Sequence, residues 1–398
     1  MGSFEKLGVI GVSDYAVWDV APHPLHRMIA TCGKSIVIWM DSNLKGHKWY
    51  QETNVECENV ASNWNWIKAY EFGSLEHRRL IRRVIWSPCG EMVISASFDG
   101  SISIWEFVSK NVGWVSICKI LGPDSEVKCI DWSPYNNFLA ACCRDRAIWI
   151  FSLDVVKGRE LGALMEYDCA EVVTAHNNDI KKIKWHPVVP LVLVSCSYDN
   201  NIIFWAPASQ LFNDDEAKGL EWVKLYTLCG HSSTVWDFTF SPNGEFMLSC
   251  SDDSSIILWH NDIEEVKNYR SFNTTHLMLT NTFKIALQNT LSAGRLSKYI
   301  LADQASSFIE NSDRELYTYP IYSVEWCRYL NCVLVSSANR SLHSFSISNS
   351  KCLKHIFGVE HAHSGEINSI SWLNDDKQGE FVSVGDDGYV VLWKFSMG

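Results

Sequence analysis

A histidine, an aspartate and a serine within reach of one another can run acyl transfer, the imidazole taking the serine proton while the carboxylate holds the ring. This sequence spells that set four times. His77, His176, His231 and His363 precede Asp99, Asp199, Asp253 and Asp387 by 22 to 24 residues, and each aspartate is followed six residues later by Trp105, Trp205, Trp259 or Trp393. A catalytic centre is normally built once, so fourfold repetition favours a structural reading. The imidazole donates to the carboxylate, and the indole joins through a serine such as Ser195 or Ser197. No acid, base and nucleophile cluster stands outside the repeats, so no enzyme is expected and no catalytic residue is assigned. The other residue whose type invites chemistry is Arg144, which with Arg146 interrupts the apolar run ACCRDRAIWIF.

The spacing from aspartate to aromatic recurs a fifth time, from Asp145 to Phe151. Gly33 to Trp39 and Asn339 to Phe345 keep it without the aspartate, which makes seven units. Inside each unit the pattern has period two, as in SISIW and NIIFW, between turn signals such as SPCG and SPNG. That is how short strands joined by hairpins read. The expected architecture is therefore all-β: residues 1–398 as one seven-bladed propeller of four-stranded sheets, with insertions at about 40–75 and 262–318. The last unit has only three strands after its entry histidine, so the N-terminal run Phe4 to Val12 is expected to supply its outer strand and close the ring.

In such an array the strands are packing material, and binding falls to the loops around the channel mouths. The position just before each turn aspartate reads Cys32, Phe98, Arg144, Tyr198, Asp252, Ala338 and Asp386 around the ring. It holds one basic residue. Phe98, Arg144 and Tyr198 come from consecutive units and are expected to form a patch, with Asp252 next along. A guanidinium between two rings suits a carboxylate with an aromatic or apolar neighbour. The competing reading pairs Arg144 with a nearby acidic loop residue as ordinary surface. Arg146 reads as a solvated turn residue.

Bulk properties limit the function classes. A net charge of −12 argues against direct nucleic-acid binding, which needs clustered cations to displace counterions. No run of 18 apolar residues and no secretory h-region occurs, so a soluble, intracellular protein without membrane contact is expected. The 14 cysteines include no C-x-x-C pair, so buried reduced thiols are expected and no metal or cofactor site is assigned.

The longer strings carry a resemblance. IRRVIWSPCGEMVISASFDGSISIW, WSPYNNFLAACCRDRAIWIF, DIKKIKWHPVVPLVLVSCSYDNNIIFW, GHSSTVWDFTFSPNGEFMLSCSDDSSIILW, IYSVEWC and HAHSGEINSISW resemble, in order, the WD40-repeat protein of the cytosolic iron-sulfur protein assembly (CIA) machinery. The turn triplets SFD, CRD, SYD and SDD are its most specific part. The resemblance implies a non-enzymatic adaptor of the CIA targeting complex that docks apo client proteins for [4Fe-4S] cluster insertion. It implies a small acidic assembly protein and a helical-repeat scaffold as partners, and a monomer in isolation. It also implies a cytoplasmic location extending to nuclear clients, and a role for the third-blade arginine that matches Arg144. The alternative is another WD40 scaffold, such as a ubiquitin-ligase substrate receptor or a chromatin-complex subunit. The sequence departs from the family pattern at TCGKS in unit 1 and SSANRSLHSF in unit 6, which lack the turn aspartate and are expected to form less rigid blades.

Overall fold

Short amphipathic strands become stable when both sheet faces are covered, and here seven four-stranded antiparallel sheets cover one another around a central axis. The computed structural model describes residues 3–50, 66–154, 165–207, 221–260, 295–300, 319–330, 332–347, 353–373 and 379–396. The inner strands are Asp19–Pro22, Ile81–Trp86, Val127–Trp132, Ile180–Trp185, Val235–Phe240, Ile321–Trp326 and Ile367–Trp372 in blades 1 to 7. Each touches the next, and the last returns to the first, so the ring is closed.

Closure comes from the N-terminus, as the sequence implied. Ser3–Val12 pairs antiparallel with Tyr389–Ser396 and makes the outer strand of blade 7. Phe4 fixes it there, its ring 5.4 Å from Phe381 and 5.5 Å from Phe395. The stretch read as inserted at about 40–75 contains the outer strand of blade 1, Trp66–Phe72, and also Trp49, which is only 1% exposed and stacks on Trp86 at 5.8 Å. Within 262–318, Arg295–Ile300 pairs as the outer strand of blade 5; the rest of that insertion up to 318 lies outside the described residues.

Between blades the core is aliphatic and aromatic. Ile94, Ile102, Ile104, Ile130, Leu139 and Ala141, for example, are sealed between blades 2 and 3. Most of the described cysteines are buried among such residues as free thiols.

Candidate functional site

The repeated histidines hold each blade's turn to its strands. In blade 4, His176 Nδ1 lies 2.9 Å from Asp199, its Nε2 lies 2.8 Å from Ser195 Oγ, and Trp205 Nε1 donates to that same oxygen at 2.9 Å. Ser195 is the linking serine. Ser197 instead donates to the carbonyls of Asn178 and Asp179. Blade 5 repeats the chain through His231, Asp253, Ser249 and Trp259, and blade 7 through His363, Asp387, Ser383 and Trp393. Blade 2 differs. His77 Nδ1 stands 3.7 Å from Asp99 and 3.0 Å from Ser101 Oγ, which itself donates to Asp99. At the aspartate position of blade 6, Asn339 Oδ1 still accepts from the amide of Ser341, whereas blade 1 has Gly33 there and keeps the indole link, Trp39 donating to Thr31.

Burial alone would raise these carboxyls, but the hydrogen bonds they accept outweigh it. Asp253 is held far below the usual carboxylate range by His231, Ser255 and the Ser232 amide; Asp99, Asp199 and Asp387 are lowered in the same way. Each aspartate is spent on its turn. The residue after it takes a left-handed backbone: Gly100, Arg146, Asn200, Ser254, Arg340 and Gly388 all have φ between 61° and 85°. Arg146 is thus the positive-φ residue of its hairpin, and its carbonyl accepts from the Ala175 amide at 3.0 Å.

Those turns surround one mouth of the channel. Arg144 is exposed there, with 63% of its side chain accessible, and shares an open depression with Arg79, Phe98, Asp124 and Glu126. Its backbone amide donates to the Glu126 carbonyl at 3.0 Å, but its guanidinium reaches the Glu126 carboxylate only at 3.9 Å. That carboxylate already accepts from Lys128 at 2.5 Å and Arg79 at 2.9 Å, contacts that pull its pKa down against burial. Arg144 is thereby left with a weak, shared partner.

Phe98 and Arg144 share this depression, and Tyr198 lies outside its lining. The expected guanidinium between two rings is not what the structure builds. Lys128 and Arg79 lie over Phe98, at 4.7 and 5.7 Å, and Lys181 lies 3.7 Å from the Tyr198 ring centre. Trp236 packs edge-on to Tyr198 at 5.7 Å and sends its indole N–H toward Asp252 at 3.5 Å. Asp252 therefore faces the aromatic side of the mouth.

The intervening cations come from a feature that the turn positions do not show. In blades 2 to 7 the inner strand carries a bulge one residue after its start, between Ile81 and Arg83, Val127 and Cys129, Ile180 and Lys182, Val235 and Asp237, Ile321 and Ser323, and Ile367 and Ser369. The extra residue drops out of the ladder and is re-aimed. Those residues are Arg82, Lys128, Lys181, Trp236, Tyr322 and Asn368, all half-buried. The signal was in the sequence, as the second residue of each apolar run before the aromatic, but a two-residue period assigns it to the ladder.

Among the described residues no group of three His, Cys, Asp or Glu stands close enough to ligate a metal.

The WD40 family (WD domain, G-beta repeat) matches residues 71–106, 114–152, 167–206, 222–260 and 350–394. The chain is 30% identical over 404 residues to the probable cytosolic iron-sulfur protein assembly protein Ciao1 of Culex quinquefasciatus, covering 99% of both. It is 27% identical over 439 residues to the probable cytosolic iron-sulfur protein assembly protein 1 of Candida dubliniensis, covering 98% of this chain and 99% of that one. To the probable cytosolic Fe-S cluster assembly factor of Schizosaccharomyces japonicus it is 29% identical over 383 residues, or 96% of this chain and 52% of the relative. The chain thus spans about half the length of the Schizosaccharomyces proteins it matches.

Proposed function

The chain belongs to the WD40 family and, within it, to the cytosolic iron-sulfur assembly proteins, and from that premise we propose that it is a non-catalytic adaptor docking apo iron-sulfur proteins for cluster insertion. The cluster is cargo in this reading, carried by a partner and passed to the client. The adaptor works in the cytosol beside a small acidic assembly protein and a helical-repeat scaffold, and it contributes recognition.

One observation supports the docking face above others. Arg144 is an exposed guanidinium whose nearest carboxylate is already taken by Arg79 and Lys128. A free fork beside the ring of Phe98 can receive a carboxylate bidentately while an apolar client group covers the ring. The half-buried aromatic groups Trp18, Tyr198 and Trp236 extend that surface around the mouth. Interfaces draw most of their energy from such aromatic and arginine anchors.

Reversing one charge tests the assignment. Immobilised wild-type chain is expected to capture iron-sulfur proteins from native lysate, with their identities read by mass spectrometry. Arg144→Glu is expected to lose about tenfold or more of that capture, the usual effect of truncating or reversing a charge-assisted contact. Its melting temperature should stay close to wild type, because exposed substitutions move stability by only about 0.5 kcal/mol. Undiminished capture by the variant removes Arg144 from the site. A bound set made of ubiquitin-ligase or chromatin subunits overturns the iron-sulfur reading itself.

A further inference from the structure

The channel enclosed by the inner strands has a volume of about 420 Å³. Its charge is the reverse of the chain's net −12. Two of its deeper cations are neutralised across neighbouring blades: Arg83 donates to Asp19 at 2.8 Å, and Lys182 pairs with Asp237. The mouth above them is different. There the bulges of blades 2, 3 and 4 place Arg82, Lys128 and Lys181 side by side on consecutive inner strands, all three lining the channel.

Their partners do not balance them. Lys128 shares Glu126 with Arg79. Arg82 lies 5.1 Å over the Trp18 ring and donates to the Trp18 carbonyl at 3.3 Å. Lys181 sits over Tyr198 at 3.7 Å and over Trp236 at 4.4 Å. Among the described residues, neither Arg82 nor Lys181 has a carboxylate at ion-pair distance. Burial, followed by the charges of Lys128 and Arg82, brings the Lys181 ammonium down to about 8, against the opposing pull of Asp179 and Cys196. Tyr198, facing it from the blade 4 turn, stays neutral because burial and then Asp179 and Asp252 raise it. Trp236, from blade 5, carries no charge. Folding thus holds three like charges together under a partial aromatic cover, an arrangement that costs stability unless an anion enters.

We propose that this mouth is a binding site for a small multivalent oxyanion of the phosphate or diphosphate class, its oxygens shared by Arg82, Lys128 and Lys181. Two uncompensated cations and a third that is half-neutralised call for a ligand of charge near −2 or beyond. A single carboxylate leaves charge over, whereas a phosphate group presents several acceptor oxygens to donors on three consecutive inner strands. Trp236 and Tyr322 line the channel beside these cations, and Trp18 lies against Arg82. The site is separate from the proposed docking residue, since Arg144 lines the outer depression and is not part of the channel.

Titration of inorganic pyrophosphate into the full chain at pH 7 and low salt, followed by calorimetry, tests this. One equivalent should bind, more weakly as sodium chloride is raised. The anion returns Lys181 toward its ordinary pKa, so binding should take up protons and weaken as pH rises from 7 to 9. The proton uptake appears as a dependence of the binding heat on the buffer's ionisation heat, and the weakening as a fall in affinity across the pH series. Lys181→Gln and, separately, Arg82→Gln should each weaken binding about tenfold or more, the range for losing a hydrogen bond to a charged group. At about 0.15 M salt, where the charge change is screened, Arg144→Gln should lose less pyrophosphate affinity than either channel variant, whether or not it captures clients. No measurable binding overturns the proposal. So does affinity unchanged from wild type in both Gln variants, or a hexaglutamate peptide that binds more tightly than pyrophosphate at equal ionic strength.

Discussion

Deleting residues 1–12 is expected to prevent the chain from folding to a soluble monomer. The deletion strips the outer strand from blade 7 and leaves unpaired the backbone N–H and C=O groups of Tyr389–Ser396 that face it. It also removes Phe4 from its contacts with Phe357, Phe381 and Phe395, and Ile10, which is 3% exposed, from its cluster with Val20 and Trp39. Each buried side chain of this size contributes about 1.5–3 kcal/mol. Losing several approaches the entire net stability of a domain, about 5–15 kcal/mol. The loss falls where the ring joins itself, so blades 1 and 7 part together. A circular permutant that places residues 1–14 after the last strand, through a flexible linker, should recover cooperative melting. Gly11→Val is a point-mutation counterpart, because a Cβ there would stand 2.1 Å from the Trp39 ring. Overpacking of that kind costs about 1–3 kcal/mol. A deletion variant that stays monodisperse with an unchanged melting curve would show that the strand is dispensable.

Asp253→Ala is expected to give the second-largest loss, about 1–3 kcal/mol for stranding buried partners. His231 Nδ1, the Ser232 amide and the Ser255 amide all lose their acceptor, and the chain from His231 through Ser249 to Trp259 loses its anchor. The pH dependence has a definite sign. Because the folded carboxyl lies below its unfolded value, its contribution is full above the ordinary carboxylate range and is lost as pH falls toward the folded value. The gap in melting temperature between wild type and variant should therefore be widest near pH 7 and shrink progressively below about pH 4. Asp145→Ala makes the comparison specific. Among the described residues no histidine joins the blade 3 turn, and Asp145 accepts there from the Ala147 amide and, at 3.3 Å, from the Trp149 indole. Its loss should cost less. Equal losses in the two variants, or a gap that does not vary with pH, would mean that the histidine chain adds nothing to the turn.

The parts of this molecule that were legible in the sequence are those set by local, repeated chemistry. The distance from Asp199 to Trp205 counts out one hairpin and one strand, and its recurrence fixes the blades; of the two linking serines it offered, Ser195 and Ser197, the structure uses Ser195. Closure by Phe4 to Val12 followed from a unit that was one strand short. Outer strands were harder to read. Glu166–Thr174 alternates only between exposed and half-buried positions, and Trp66–Phe72 is mixed, so neither has the apolar period of an inner strand. That is why the outer strand of blade 1 fell inside a stretch read as inserted. The mouth was half legible. Residues before the turn aspartates were correctly placed on one rim, but a bulge shifts register without any change in composition. Lys128 and Lys181 therefore came to lie over Phe98 and Tyr198 unannounced. Trp49 was hidden for another reason: the isolated pair Trp49 and Tyr50 in a polar loop gives no periodicity, yet Trp49 packs against Trp86 and Trp114.

Hydrogen–deuterium exchange of the chain, alone and with an iron-sulfur protein stripped of its cluster, tests the docking face most directly. Protection is predicted in the segments around 78–82, 98–100, 124–128, 144–146 and 179–181, which carry Arg79, Phe98, Glu126, Arg144 and Lys181. Protection confined to the opposite mouth, at the turns 87–91, 133–137 and 241–245, with the Arg144 rim unchanged, would contradict the account.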